Sequence, residues 1–211
     1  MNDVLVLYSG APASVRVFLR GRVLLSDFEF VERHVPRAGT ILDLGCGHGL
    51  FANLMALRSS ERKVIGVDLS PAKIGQARAT IGGRTNIEFI CGDMLELDLP
   101  ACDVVTIVDV LYLLHRDEQL KILKACRRIL KPGGLLVWKA QETTPRYKYY
   151  LTYCQELITT TIGITRGRRG GLCFLSREVA LAALGEAGFI PRAVEMSAGR
   201  PYTDVLYLGR K

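Results

Sequence analysis

The chain has 211 residues, 49% of them hydrophobic, and a net charge of +7. That length suits a single domain, and a chain of this size buries roughly 70% of its unfolded surface, so a full core is available. No apolar run approaches the ~20 residues of a membrane span. The opening Met1-Asn2-Asp3 carries an acid where a secretory signal needs cations, so the expected location is the cytoplasm.

Residues 11–35 mix apolar and basic side chains and predict one or two helices ending before Pro36. Residues 40–44 are a short apolar run ending in Gly45, Gly47 and Gly49, and the apolar stretch 50–57 follows at once. That order reads as a buried strand, a tight turn and a helix N-terminus. Residues 64–68 give a second strand. Ser70-Pro71 then supplies an N-cap and a first-turn proline for a helix with Ile74, Ala77 and Ile81 on one face. Residues 87–91 and 104–108 are further strands. Asp117 is the expected cap of a helix in which Leu120, Leu123 and Leu130 recur, stopped by Lys131-Pro132-Gly133-Gly134. Residues 135–140 form the fifth strand. A helix over 146–162 and a loop over 163–171 follow. Ser176 opens a helix ending at Gly188, and strands 189–195 and 204–209 are joined by only a turn, which makes them antiparallel.

Strands alternating with helices imply a parallel sheet covered on both faces. Ligands of such sheets lie beyond the carboxyl ends of the strands. Asp43, Asp68, Asp93 and Asp109 all fall at those ends. Asp43 discriminates between ligands. A dinucleotide needs its pyrophosphate cradled at the glycine turn, and an acid just before the turn repels it. A cationic group is drawn to the same acid.

Asp43-Leu-Gly-Cys-Gly-His-Gly49, with Gly66-Val-Asp68 and Gly92-Asp93 in register, resembles the nucleotide-binding half of the class I S-adenosylmethionine-dependent methyltransferases, bacterial small-molecule type. The resemblance covers residues 36–142 by motif and 176–211 by topology. It implies an α/β, doubly wound, seven-stranded and mostly parallel sheet with an antiparallel C-terminal hairpin. It also implies one methyltransferase domain, with 1–39 a helical cap, 40–142 the cofactor-binding core, 143–175 a substrate-lid insertion and 176–211 the final helix and hairpin. The implied cofactor is S-adenosylmethionine, with S-adenosylhomocysteine as product. By position, Asp43, Leu44, Gly45, Cys46 and Gly47 serve the methionyl and ribose parts. Asp68 takes the ribose hydroxyls and Leu69 lies beside the adenine. Asp93 accepts from the adenine amino group with Met94 on the ring, and Asp109 and Val110 border the methionine moiety. His115 is the candidate general base, and Trp138, Lys139, Gln141 and Glu142 are expected to point toward the mouth of the site. His48 is expected to be neutral and His34 to have no clear partner.

The six cysteines form no Cys-x-x-Cys and have no histidine at zinc spacing, so no metal site is expected and the thiols read as reduced. Residues 143–175 carry Arg146, Lys148, Arg166, Arg168 and Arg169 against Glu156 alone. Tyr147 and Tyr150 stand in the same segment, which the resemblance makes a cover for substrate. Its charge suits an anionic small molecule, a lipid, or an acyl or aryl group on an acidic carrier protein. After the fourth strand there is no Asn/Asp-Pro-Pro-aromatic and no Pro-Cys, which disfavours nucleic-acid bases as acceptors. An RNA methyltransferase, a non-catalytic S-adenosylmethionine-binding subunit and a dehydrogenase are the competing readings.

Overall fold

The structure, a computed structural model, describes residues 1–141, 172–196 and 204–211. The chain folds as two compact units, Met1–Thr106 and Ile107–Lys211, with the boundary inside a strand. The strands form a seven-stranded sheet in the order β3-β2-β1-β4-β5-β7-β6. Strand β1 is Gly39–Leu44, β2 Arg62–Asp68, β3 Ile87–Cys91, β4 Cys102–Val108, β5 Leu130–Gln141, β6 Ile190–Glu195 and β7 Asp204–Arg210. β1, β2 and β3 pair in parallel, while β7 is antiparallel to both β5 and β6. The expected fold class holds.

In the first unit, three helices precede the sheet: α1 (Asn2–Val6), α2 (Ala13–Leu25) and α3 (Phe28–Glu32). The last two are the helices expected over residues 11–35, and α1 is additional. α4 (Leu50–Arg58) buries Leu50 through Ala56 without a break, which is why its sequence shows an apolar run rather than a stripe. α5 (Pro71–Ala79) starts as read: the Ser70 hydroxyl accepts from the Lys73 amide at 3.4 Å, and Pro71 occupies the first turn. Ile74 and Ala77 are buried, but Ile81 lies beyond the helix, because the chain turns at Thr80 toward Gly82 and Gly83 in left-handed conformations.

Arg62 organises the base of this unit. Its guanidinium is buried and donates to Glu32 Oε1 at 2.7 Å, the Pro36 carbonyl at 2.7 Å, the Val35 carbonyl at 2.8 Å and the Met55 carbonyl at 3.0 Å. One side chain thus joins α3, the segment leading into β1, and α4.

In the second unit, α6 (Arg116–Ile129) buries Gln119, Ile122, Leu123 and Cys126. Two expectations are corrected here. The N-cap is His115, not Asp117, because the Glu118 carboxylate reaches back to accept from the His115 amide at 3.3 Å. The helix ends at Ile129, so Leu130 is the first residue of β5, and the strand runs through Pro132-Gly133-Gly134 instead of starting at Leu135. α7 (Arg177–Glu186) is capped by Ser176, whose hydroxyl accepts from Val179. Among the described residues no helix is long and apolar enough to cross a membrane and no group of acids, cysteines and histidines could hold a metal ion. Cys46, Cys91, Cys102, Cys126 and Cys173 are free thiols.

Candidate functional site

The glycine turn of the first unit is tied to the end of β2. The Gly45 and Cys46 amides both donate to the Val67 carbonyl, at 2.8 and 3.0 Å. Gly45, Gly47 and Gly49 have φ of 75°, 56° and 79°, a left-handed region that L side chains avoid. One of these glycines also serves space. A Cβ at Gly49 would lie 2.6 Å from the Phe89 ring, whereas a Cβ at Gly47 would meet nothing within 4 Å. The turn is therefore packed on its Gly49 side and open at Gly47. Gly49→Ala is expected to cost at least about 2 kcal/mol, from left-handed strain plus overpacking against Phe89; a denaturant midpoint unchanged from wild type would contradict this.

Asp68 closes β2 and clamps the turn. Its Oδ2 accepts from the Gly47 amide and its Oδ1 from the Ser70 amide, each at 2.9 Å. Each oxygen retains acceptor capacity for a further donor. Leu69 beside it is 52% exposed, unusual for a leucine at a strand end. Asp93 stands two residues beyond β3, where its Oδ1 accepts from Leu95 at 2.9 Å and its carbonyl from Glu96 and Leu97. Met94 next to it is half-buried.

Asp43 is different in kind. It is 2% exposed, its Oδ1 accepts from the Thr106 hydroxyl at 2.7 Å, and its Oδ2 is buried with no hydrogen-bond partner. Burial pushes its pKa up to about 7; the Thr106 bond opposes the rise and the neighbouring charge of Asp68 adds to it. Cys46 has its thiol pushed up by burial, so it is not poised as a nucleophile.

The back of the turn is held by a buried polar network that the sequence reading did not anticipate. Tyr8 donates from its hydroxyl to the His48 carbonyl at 2.7 Å. Asn53 Nδ2 lies 2.9–3.0 Å from the Tyr8 hydroxyl, the Gly49 carbonyl and the Thr80 hydroxyl, and Arg84 donates to Asn53 Oδ1. The signal was present as an asparagine in the otherwise apolar run of residues 50–57. His48 packs against Phe18, ring centroids 5.6 Å apart, and desolvation, with Lys73 nearby, lowers its pKa to about 4. It is neutral at pH 7, as expected. His34, expected to lack a partner, has Nδ1 2.9 Å from the Phe30 carbonyl and its ring against Phe30.

In the second unit, Asp109 follows β4 directly and has φ 57°, alone among the described non-glycine residues in being left-handed. Its Oδ1 accepts from Lys139 Nζ at 2.7 Å, and Asp204 Oδ1 lies 3.2 Å from the same ammonium. Lys139 and Trp138, expected to point toward the mouth of the site, are thus buried in the core. Val110 opens a short 3-10 turn, Leu111–Leu113. His115 begins α6 with its side chain 67% exposed and Nδ1 3.8 Å from the Asp117 carboxylate. Gln119 Nε2 donates to the Leu114 and Cys173 carbonyls, at 3.0 and 2.8 Å, and Phe174 stacks on Tyr112. Tyr147, Tyr150, Arg166, Arg168, Arg169, Glu142 and the expected helix over 146–162 lie outside the described residues.

Residues 41–134 match the family model described as a methyltransferase domain. The ubiquinone biosynthesis O-methyltransferase of Leptothrix cholodnii is 32% identical over 111 residues, 50% of this chain and 46% of that protein. The chain thus spans about half the length of the curated relatives it matches. A methyltransferase structure from Aquifex aeolicus superposes with a TM-score of 0.65 at 20% identity, over 90% of this chain and 92% of that one. The structure titled "PigF with SAH" gives 0.70 at 20% identity, over 90% of this chain and 56% of that one. At such identities the structures establish the fold. Domain match, sheet order and glycine turn agree: the chain has the fold of the class I S-adenosylmethionine-dependent methyltransferases, and its residues 41–134 are similar to their methyltransferase domain.

Proposed function

We propose that the protein is an S-adenosylmethionine-dependent methyltransferase acting on a small molecule, lipid or carrier-bound substrate. The observation that carries the reading is Asp43. A buried carboxylate oxygen without a partner, directly before a glycine turn that is open at Gly47, suits a cationic N–H donor and not a pyrophosphate. The residues present fit the cofactor. Asp43 would meet its ammonium, directly or through water, and Leu44, Gly45, Cys46 and Gly47 would offer backbone. Asp68 would accept from the ribose hydroxyls, Leu69 and Met94 would flank the adenine, and Asp93 would accept from its amino group. Asp109 and Val110 are assigned to the methionine end by the family resemblance. When bound, the cofactor supplies an activated methyl group, so the protein's task is alignment and exclusion of water. His115 is the candidate base on the resemblance alone. The O-methyltransferase relative supports an oxygen acceptor, and the basic segment 143–175 supports an anionic substrate or an acidic carrier protein.

Titration with S-adenosylhomocysteine, with NADH as control, tests the reading. Micromolar binding of the first alone supports it; binding of NADH alone would replace it with the dehydrogenase.

The state of Asp43 gives this binding a proton signature. Its native pKa of about 7 exceeds the ordinary aspartate value of 3.8, so the folded protein holds more protons and loses stability as pH rises from about 4 to about 7. A bound ammonium favours the ionised form. Binding of S-adenosylhomocysteine at pH 6 should therefore release up to about one proton, and affinity should strengthen as pH climbs toward 7. Calorimetry in two buffers of different ionisation enthalpy measures the release, and Asp43→Asn should abolish it.

A further inference from the structure

We propose that Lys139 is a positioning residue for methyl transfer: it holds Asp109 in its left-handed conformation and so sets the turn of residues 109–114. The inference rests on the proposed function, which assigns that turn to the cofactor's methionine end.

Three buried ionisable side chains converge here. Lys139 Nζ lies 2.7 Å from Asp109 and 3.2 Å from Asp204, with side-chain exposures of 0%, 1% and 4%. They come from the end of β5, the residue after β4 and the first residue of β7. The rest of β5 near Lys139 is apolar, with Leu136, Val137 and Trp138 buried beside it. Apolar side chains at all three positions together would serve a core at least as well, since apolar replacement of a whole buried ionic cluster is often neutral or stabilising. Stability alone therefore gives no reason for a lysine.

Geometry gives one. An L residue at φ 57° carries strain that its surroundings must hold in place. Residue 109 is attached to residue 139 twice, by the Asp109 amide to the Lys139 carbonyl at 3.3 Å and by the Lys139 ammonium to the Asp109 carboxylate. The far side of the turn is held separately. The Cys173 amide donates to the Tyr112 carbonyl at 2.7 Å, and Gln119 donates to the Leu114 carbonyl. With both sides held, the path of residues 110–113 is defined. Releasing Lys139 frees the near side and lets residue 109 leave the strained region.

Glycine separates this role from a structural one, because it adopts φ near 57° without strain. S-adenosylhomocysteine affinity is measured by calorimetry on wild type, Lys139→Met, Lys139→Met/Asp109→Gly, Asp109→Ala and Asp109→Gly. Lys139→Met should weaken binding at least tenfold. Adding Asp109→Gly should restore at least fivefold of that loss, although it removes a further native side chain. If Lys139→Met fails to fold, the single variants decide. Both lack the carboxylate and leave Lys139 with Asp204, yet Asp109→Ala should bind at least fivefold more weakly than Asp109→Gly. Equal affinity of the alanine and glycine variants, or no recovery in the double variant, overturns the role of Lys139 and leaves the cofactor reading intact. Failure of wild type to bind S-adenosylhomocysteine overturns both.

Discussion

Asp68→Asn is expected to weaken binding of S-adenosylhomocysteine by roughly 100-fold, about 3 kcal/mol. The substitution preserves shape, yet it is not conservative here. Both carboxylate oxygens already accept from backbone amides, Gly47 on one side and Ser70 on the other, each at 2.9 Å. An asparagine has one acceptor oxygen and must turn its NH2 toward one of these amides, donor against donor. The turn then loses either its clamp to Gly47 or its anchor to Ser70. The remaining oxygen is neutral, and hydrogen bonds to an ionised acceptor are roughly twice as strong as those to a neutral one. The loss thus has two sources, a misplaced glycine turn and a weaker acceptor for the ribose hydroxyls. Calorimetric titration of both proteins measures it. A change below threefold would show that the ligand does not engage Asp68.

Arg62→Met is expected to destabilise the protein by about 3–5 kcal/mol, because it leaves the carboxylate of Glu32 buried and uncompensated. For a domain of this size that corresponds to a melting temperature lower by on the order of 10 °C. Three backbone carbonyls, of Val35, Pro36 and Met55, lose their donor as well. Glu32→Leu in the same chain should recover part of the loss by removing the stranded charge. Arg62→Lys should fall between, since an ammonium cannot span acceptors on three segments as the guanidinium does. Thermal unfolding followed by circular dichroism tests the series. A drop of under 3 °C for Arg62→Met would mean that water or neighbouring groups satisfy Glu32 without it.

Much of the frame was legible along the chain because its causes are local. Strand β1 and the turn after it were readable since three left-handed positions in succession require Gly45, Gly47 and Gly49. The start of α5 was readable since a serine followed by proline satisfies the first turn from within the chain. The antiparallel end of the sheet followed from the short stretch of sequence between β6 and β7, too short for the crossover that a parallel pair needs. Each boundary that was misread involved a choice between neighbours. At α6 an aspartate was the better isolated cap, but the reach of Glu118 moved the start to His115.

The chemistry that separates one acid from another was decided by tertiary structure. Asp43, Asp68 and Asp109 are the same residue type at equivalent strand ends, and their order along the chain assigned them different ligand parts without revealing their depth or partners. Depth and partners set them apart. Asp68 is held by two backbone amides, Asp109 is neutralised by Lys139, and Asp43 is buried with one oxygen unsatisfied. Nothing along the chain singled out Arg62, and Lys139 was expected at the mouth of the site; segments distant in the chain close around both and bury them. Periodicity of two or 3.6 residues records which side of an element is buried. It carries no record of which distant side chain arrives opposite, and a buried charge depends on that arrival.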